Sequence, residues 1–440
     1  MVFQLSWPTV ATFSVLSLRS LVDVWLAGRL GRNDLAALAP AQLILMLILS
    51  FGFGSLFIVN AHVSRSKGAG RSEEAGVIAW QGIWFSISYG LVALFFWKAG
   101  PALLTLFGHP REVFSREVLY FNAALASVIW QMMSFAATNF FFGIERPRIP
   151  MFLAPLALGT HTLIGAGLAF GQFGLPRLEM AGIGWATTVS SAIHSVAMVG
   201  WMLLDRRLRR FGAFRFRLAP GVLLRVWRDG IPVGARDFLD NFIWSVTVIW
   251  LIGKLGPTPM ATATVLLACN DILMLPCDGL GAAMVTLIGR TLGLRRFWLA
   301  DSWRRFSWVI AGIYSGLAGT LFFVFRRPIL AFLANDPEVT EMAVDLAYFV
   351  PLLLFLYASY SVFDHALCAA CDNVWPTVTN LICSVLILGI GGWVFLAFYT
   401  THGPVAVWWL LTVNLAIIVG AFWRRWKLNN WRQFVVFEKQ

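Results

Sequence analysis

Long stretches of this chain are apolar on every face, and short polar turns separate them at regular intervals. The second of them, QLILMLILSFGFGSLFIV, shows neither the two-residue alternation of a membrane strand nor the single apolar stripe of a surface helix. A helix that is apolar all round belongs inside protein or lipid, and ~20 such residues match the hydrocarbon thickness of a bilayer. The pattern predicts spanning helices over 3-27, 35-62, 75-97, 117-142, 150-172, 180-204, 230-253, 260-289, 303-325, 343-366, 376-399 and 404-423. The first run begins almost at Met1, lacks the Lys/Arg-rich start of a signal peptide and enters a polar turn without a clean cleavage site, so it is read as a span.

Composition extends this reading to the whole chain. Of 440 residues, 59% are apolar, 15% aromatic and only 13% charged, with a mean hydropathy of +0.74. Such a chain is an integral membrane protein, and twelve spans leave no room for a soluble domain. The fold class is all-α and polytopic. Loops on one side hold Arg65, Lys67, Arg71, Arg146, Arg148, the cluster from Arg206 to Arg228, Arg290, Arg295, Arg296, Arg304, Arg305 and the tail from Arg424 to Lys439, which is 23 of the 34 basic residues. Cytoplasmic loops retain Lys and Arg, so that side is cytoplasmic and both termini lie there, in a plasma membrane or bacterial inner membrane. The net charge of +12 is then accounted for by topology and by contact with anionic lipid headgroups. Nucleic-acid binding would need those charges on a soluble face and is excluded. The five cysteines lie in or beside apolar spans, and the CxxC of Cys368 and Cys371 lacks the second pair or His cluster of a metal site.

The loop DRRLRRFGAFRFRLAPGVLLRVWRD, residues 205-229, divides the chain near its midpoint, and its Arg and Phe pattern reads as an amphipathic connector at the cytoplasmic interface. The two sides of it repeat. LAGRLG at 26-31 returns as LIGKLG at 251-256, Pro8 as Pro232, FGFG at 51-54 as DGLG at 278-281, and the GAGRSEEA turn as LGLRRFWLA. GHPREVFSREVLYF likewise resembles ANDPEVTEMAVDLAYF, and Pro150 answers Pro376. Ordered matches at one spacing of about 225 residues predict two homologous six-helix bundles, 1-204 and 230-423, with 205-229 as linker and 424-440 as tail. Both bundles start from the cytoplasm, so they are parallel repeats, with a site expected between them.

Charges within spans are costly and mark a partner or a polar path. The helix GIPVGARDFLDNFIWSVTVIWLIGKLG carries Arg236, Asp237, Asp240 and Asn241. Arg19 with Asp23, and Arg236 with Asp240, stand four apart on one helix face, so each acid has a cation within reach. Asp237 competes for Arg236, which leaves one acid of that helix over. Neutralisation of these pairs and ion coupling both remain open on this pattern. Asn270, Asp271, Asp278 and Asp364 add polar groups to the second half. Asp278, between Pro276 and Gly279, suits a helix cap as well as a functional role. Asp271 and Asp364 have no cation within one turn, and burial would prepare them to carry a proton. His161 and His194 are candidates for titration and equally for packing. Asn60, Asn122, Gln131, Asn139 and Asn380 read as interhelical hydrogen-bond glue. Trp80, Trp84, Trp130, Trp244 and Trp250 could offer a flat surface to aromatic cations, although most of the 21 Trp must serve packing or interfacial belts.

Pro8, Asp23, the turn at 28-31, LAAL at 35-38, GAGRSEEA, RPRIPM at 146-151 and GIP followed by LIGKLG together resemble the multidrug and toxic compound extrusion (MATE) family over nearly the whole chain. The resemblance implies a V-shaped exporter of twelve helices in two lobes, which alternates access and drives drug efflux with inward Na⁺ or H⁺. It places Asp23 in the N-lobe cation site, whose usual partners in the fifth helix, an Asn and an Asp or Asn, align with His161 and Gly165. That departure removes the hard oxygen ligands an alkali-type cation prefers. Asp240 aligns with the acid of the C-lobe site. The tenth-helix Asp aligns with Tyr357, while Asp364, on the same face of that helix, carries the nearest carboxylate.

No GxGxxG entering a helix, phosphate loop, HExxH or GxSxG is present, so no enzymatic activity and no cofactor are expected, and energy must come from an ion gradient. The expected function is secondary active efflux of cationic or amphipathic drugs or metabolites by cation antiport, H⁺ in preference to Na⁺. Asp240, Asp23, Asp364 and Asp271 are the coupling candidates, and Asp237, Arg236, Asn241, Asn270, Tyr357 and His161 the lining of the substrate cavity. The expected partners are an organic-cation substrate and membrane lipids, with the chain a monomer. A lipid-linked precursor flippase, or an exporter of one metabolite from the same superfamily, is the alternative, and a non-transporting scaffold would have no need of these acids.

Overall fold

The computed structural model describes residues 2-214, 216-246, 251-252, 255-333, 337-398 and 403-435. Every regular element among them is helical. In chain order these are α1 (Val2–Leu30), α2 (Arg32–Gly68), α3 (Glu74–Ala93), α4 (Phe96–Leu104), α5 (Arg111–Leu125), α6 (Ser127–Gly143), α7 (Arg148–Phe170), α8 (Glu179–Leu204) and α9 (Pro220–Val246). They continue as α10 (Pro257–Gly293), α11 (Phe297–Val324), α12 (Arg326–Leu333), α13 (Pro337–Leu346), α14 (Phe349–Ala369), α15 (Val374–Ser384), α16 (Gly391–Phe398) and α17 (Gly403–Lys427). Among the described residues ten helical stretches are long and apolar enough to cross a bilayer, and α5 with α6 makes an eleventh as a pair bent by 43°. The predicted span 230-253 corresponds to the later part of α9, and its residues 247-250 and 253 lie outside the described residues. The chain is an integral, polytopic, all-α membrane protein.

Apolar periodicity located the helices but not their breaks. The span expected over 117-142 is interrupted at Ala126, where α5 and α6 meet at a bend of 43°. The span expected over 376-399 passes through a π-helical turn at Val385–Ile390 between α15 and α16. Asp278 was open to a capping role, but α10 runs unbroken past Pro276 to Gly293, and Asp278 stands in its interior.

The chain divides into two compact units, Pro8–Phe238 and Leu239–Gln440 with Met1–Trp7, so the division falls within α9. In the first unit α8 packs on α5, α6 and α7, while α2 packs on α3, α5 and α6. In the second, α14 is central, against α10, α11 and α17, over a core that includes Leu266, Phe349, Leu353 and Trp408.

Gly54 and Gly184 are two of the glycines that allow close approaches in the first unit. At Gly54, in the FGFG of α2, a Cβ would stand 2.7 Å from Asp237 Oδ2 and 2.8 Å from Gly234 Cα, so the bare backbone lets α9 and its acid come in. At Gly184 of α8 a Cβ would meet the Tyr120 carbonyl oxygen at 2.6 Å and Ala123 Cβ at 2.7 Å. Neither neighbour is a flexible side-chain end. Gly184→Ala is therefore expected to cost about 1–3 kcal/mol by forcing α5 away from α8. Thermal unfolding in detergent reads this directly, and an unchanged midpoint would contradict it.

The stretch expected as a linker, 205-229, is not a separate connector: from Pro220 it is part of α9, it lies within the first unit, and it is held on α3. Trp80 Nε1 donates to the Ala213 carbonyl at 2.8 Å, Gln81 Nε2 donates to the Arg217 carbonyl at 2.9 Å, and Gln81 Oε1 accepts from Ala219 N at 3.3 Å. Trp80 also packs its ring on Phe216 at 4.5 Å. This buried indole anchors the stretch on α3 and is not a platform for aromatic cations. The side chain of Trp244 and all of Trp250 lie outside the described residues.

Candidate ion-coupling site

Asp23 is a buried acid of the first unit held by donors from several helices. It is 5% exposed on α1, and donors from three other helices converge on it. His161 Nε2 of α7 lies 2.8 Å from Oδ1, while Gln42 Nε2 of α2 and the Tyr120 hydroxyl of α5 each donate to Oδ2 at 3.1 Å. The other ring nitrogen of His161 faces Ser190 Oγ of α8 at 3.4 Å, and the ring is fully buried. Gly165, one helical turn further along α7, contributes no ligand: Leu26 fills the space beside it, 2.7 Å from where a Cβ would stand. An isolated carboxylate in this setting would be costly, and the contacts with His161, Gln42 and Tyr120 offset that cost.

The Arg19–Asp23 pair expected from their spacing does not form. Arg19 Nη2 donates instead across to α8, to the Thr187 carbonyl at 3.4 Å, Ser190 Oγ at 3.3 Å and Ser191 Oγ at 3.0 Å. A long guanidinium reaches the oxygens of a neighbouring helix, whereas the short carboxylate is served by donors that helical spacing on α1 alone cannot reveal. Arg236, buried on α9, lies 3.4 Å from Asp237 Oδ1. Asp237 itself is partly exposed.

In the second unit Asp240, on α9, accepts from Asn380 Nδ2 of α15 at 2.8 Å and from the Tyr360 hydroxyl of α14 at 3.3 Å. Behind Asn380 a chain of donors continues, Ser384 Oγ to Asn380 Oδ1 at 3.1 Å and Asn414 Nδ2 of α17 to Ser384 Oγ at 3.4 Å. Asn380, expected as interhelical hydrogen-bond glue, joins α15 to Asp240 of α9. Tyr357 donates to Asp278 Oδ1 of α10 at 2.7 Å, and its ring stands 6.0 Å from that of Tyr360. Two phenols of α14 therefore serve two carboxylates from other helices. Asp364 is buried further along α14, and Asn241 is half-buried beside Asp240. Asn270 is 1% exposed, with Nδ2 3.7 Å from Met274 Sδ and no hydrogen-bond partner for Oδ1 among the described residues. Asp271 stands on an exposed face of α10.

Gln42, Tyr120 and Tyr360 were missed from sequence. Each is a polar group inside an apolar run, which is the signal that could have drawn attention to it.

These acids stand in a chain whose residues 8–166 and 238–393 match the sequence model of the MatE family. The chain belongs to the MatE family. A protein described as "Probable multidrug resistance protein NorM" from Neisseria meningitidis serogroup B is 26% identical over 337 residues, covering 75% of this chain and 72% of its own length. Its namesake from Aromatoleum aromaticum is 27% identical over 409 residues, covering 91% and 86%. The crystal structure of the eukaryotic MATE transporter AtDTX14 superposes with a TM-score of 0.85 at 20% identity, over 99% of this chain and 96% of that one. An outward-facing multidrug resistance MATE transporter gives 0.86 at 17%, over 100% and 96%. The MATE fold therefore spans the described chain, and the polar clusters around Asp23 and Asp240 are features of a membrane transport protein.

Proposed function

We propose that this MATE protein is a secondary active exporter of cationic or amphipathic small molecules, driven by proton antiport and alternating access between its two halves. The observation that carries the reading is the contact of Asp23 with His161. Where a sodium site would need several oxygens, this carboxylate meets an imidazole nitrogen, an amide N–H and a phenol, all of which can donate and one of which can itself hold a proton. A carboxylate and imidazole in contact can share one proton or take up a second, and the second changes the net charge of a buried site. Asp240, held by Asn380 and Tyr360, is the second coupling carboxylate, and Asp364 lies on the same helix as its phenol partner. Protonation of these acids biases the transporter toward the state that takes substrate from the cytoplasm, and substrate reverses the bias in proportion to its differential affinity for the two states. The remaining features of the reading are a monomer in a bacterial inner membrane, with both termini cytoplasmic and organic cations attracted to the acids.

The test is export of a fluorescent organic cation from reconstituted vesicles under a proton gradient or a sodium gradient at fixed pH. Transport driven by protons alone is expected. A strict sodium requirement would overturn the choice of ion, and no movement of organic cations under either gradient would overturn the substrate class. Cells expressing Asp240→Asn are expected to lose the drug resistance that the wild type confers, and full resistance would remove Asp240 from the mechanism.

A further inference from the structure

A second buried acid of the first unit plays no part in that scheme. Glu117 of α5 is fully buried, and His109, just before α5, lies with Nδ1 2.5 Å from its Oε1. Its other oxygen, Oε2, is buried with no hydrogen-bond partner among the described residues. The His109 side chain is 35% exposed and stacks on Phe107 at 5.9 Å, so this pair joins surface to interior. Of the other charged groups nearby, Arg116 is engaged with Asp34 of α2, Glu112 with Asn33 at 3.2 Å and Glu179 of α8 with Arg177 at 3.3 Å, while Arg111 stands exposed at the start of α5. Lys98 is the single charge of α4, and α6 carries none. Burying a carboxylate with one oxygen unsatisfied is costly.

Glu117 also stands three residues before Tyr120, on the same face of α5, a rise of ~4.5 Å. Tyr120 is the phenol that donates to Asp23 Oδ2. We infer that His109 and Glu117 form a proton uptake site at the outer surface, which hands protons along α5 through Tyr120 to Asp23. The inference rests on the reading in which Asp23 carries the coupling proton and the loop before α5 is external. In the transfer the His109 Nδ1–H bond breaks as a Glu117 O–H bond forms, and His109 regains a proton from bulk water. A turn of the Glu117 carboxyl then presents that proton to Tyr120, whose oxygen takes it while its own proton passes to Asp23 Oδ2. No net charge is left on the phenol.

The experiment compares wild type, Glu117→Gln, Glu117→Asp, His109→Gln and Asp23→Asn, each as the full chain in vesicles with an acid exterior. Glu117→Gln keeps the shape and an acceptor for His109, and is expected to slow initial export of a fluorescent organic cation about tenfold near neutral external pH. Lowering the external pH should recover much of that rate, affinity for the organic cation should be unchanged, and Glu117→Asp should retain most of the activity. His109→Gln should displace the pH profile of the rate. A wild-type rate and profile in Glu117→Gln overturns the inference, as does an equal loss of substrate affinity, which marks a structural role. Should Glu117→Gln not fold, a wild-type profile in His109→Gln overturns it instead. Asp23→Asn separates the two levels: an inactive Asp23→Asn beside an unimpaired Glu117→Gln removes only the uptake site, whereas an active Asp23→Asn removes the coupling role of Asp23 and this inference with it.

Discussion

Asp23→Asn is expected to reduce proton-driven export on the order of 100-fold while leaving substrate binding in place. The amide matches the carboxylate in size, and its oxygen can still accept from Tyr120 and Gln42, which now meet Oδ2 at 3.1 Å. Its nitrogen can donate to a neutral His161, which holds Oδ1 at 2.8 Å in the native protein. Packing of α1, α2, α5 and α7 should therefore survive. What disappears is the group that takes up and releases a proton, so no external pH should restore the rate. Initial export rates in vesicles, beside the affinity for the same organic cation, separate the two effects. Undiminished export would show that the buried pair is structural.

Asp372→Ala is expected to produce the largest loss of stability, about 3–5 kcal/mol, because it leaves a largely enclosed guanidinium without its anion. Asp372 lies between α14 and α15 and is 1% exposed. Arg425 of α17 grips it with both arms, Nε to Oδ2 at 2.8 Å and Nη2 to Oδ1 at 3.2 Å, and stacks over Trp375 at 5.1 Å. The fork geometry makes this pair stronger than an exposed ion pair. Behind it the tail packs Trp431 on Trp426 at 4.4 Å, and Trp426 Nε1 donates to Asp301 Oδ1 at 3.0 Å. Losing Asp372 should loosen α14, α15, α17 and the tail together. The check is the thermal unfolding midpoint in detergent, compared with a second variant that also replaces Arg425 by Leu. The double change should recover part of the loss, since it removes the stranded charge. An unaltered midpoint for Asp372→Ala would refute the assignment.

The two acid sites were not equally visible in the sequence. Asp23 and Asp240 stood out because each is a carboxylate within an apolar run, where water cannot satisfy it. Their partners were harder to see. Helical spacing put Arg19 beside Asp23, but the guanidinium reaches α8 and the carboxylate is held by α2, α5 and α7. Asn380 and Tyr360 lie 140 and 120 residues from Asp240, so no local rule could join them. Tyr357 stands where the family resemblance placed an acid, and the structure supplies one beside it from α10, at Asp278.

Apolar runs as long as a bilayer is thick leave a chain no choice but helices across it, because backbone groups in lipid must be satisfied within the segment. That much, with the membrane class and the buried acids, is written in residues 1-440 alone. Which helix breaks, which one lies beside which, and therefore which donor each carboxylate receives, depends on contacts between residues far apart in the chain. The bend at Ala126, the exposed Asp271 and the meeting of His161 with Asp23 were set by packing, where close approach and hydrogen-bond geometry decide between partners that the order of residues leaves equal.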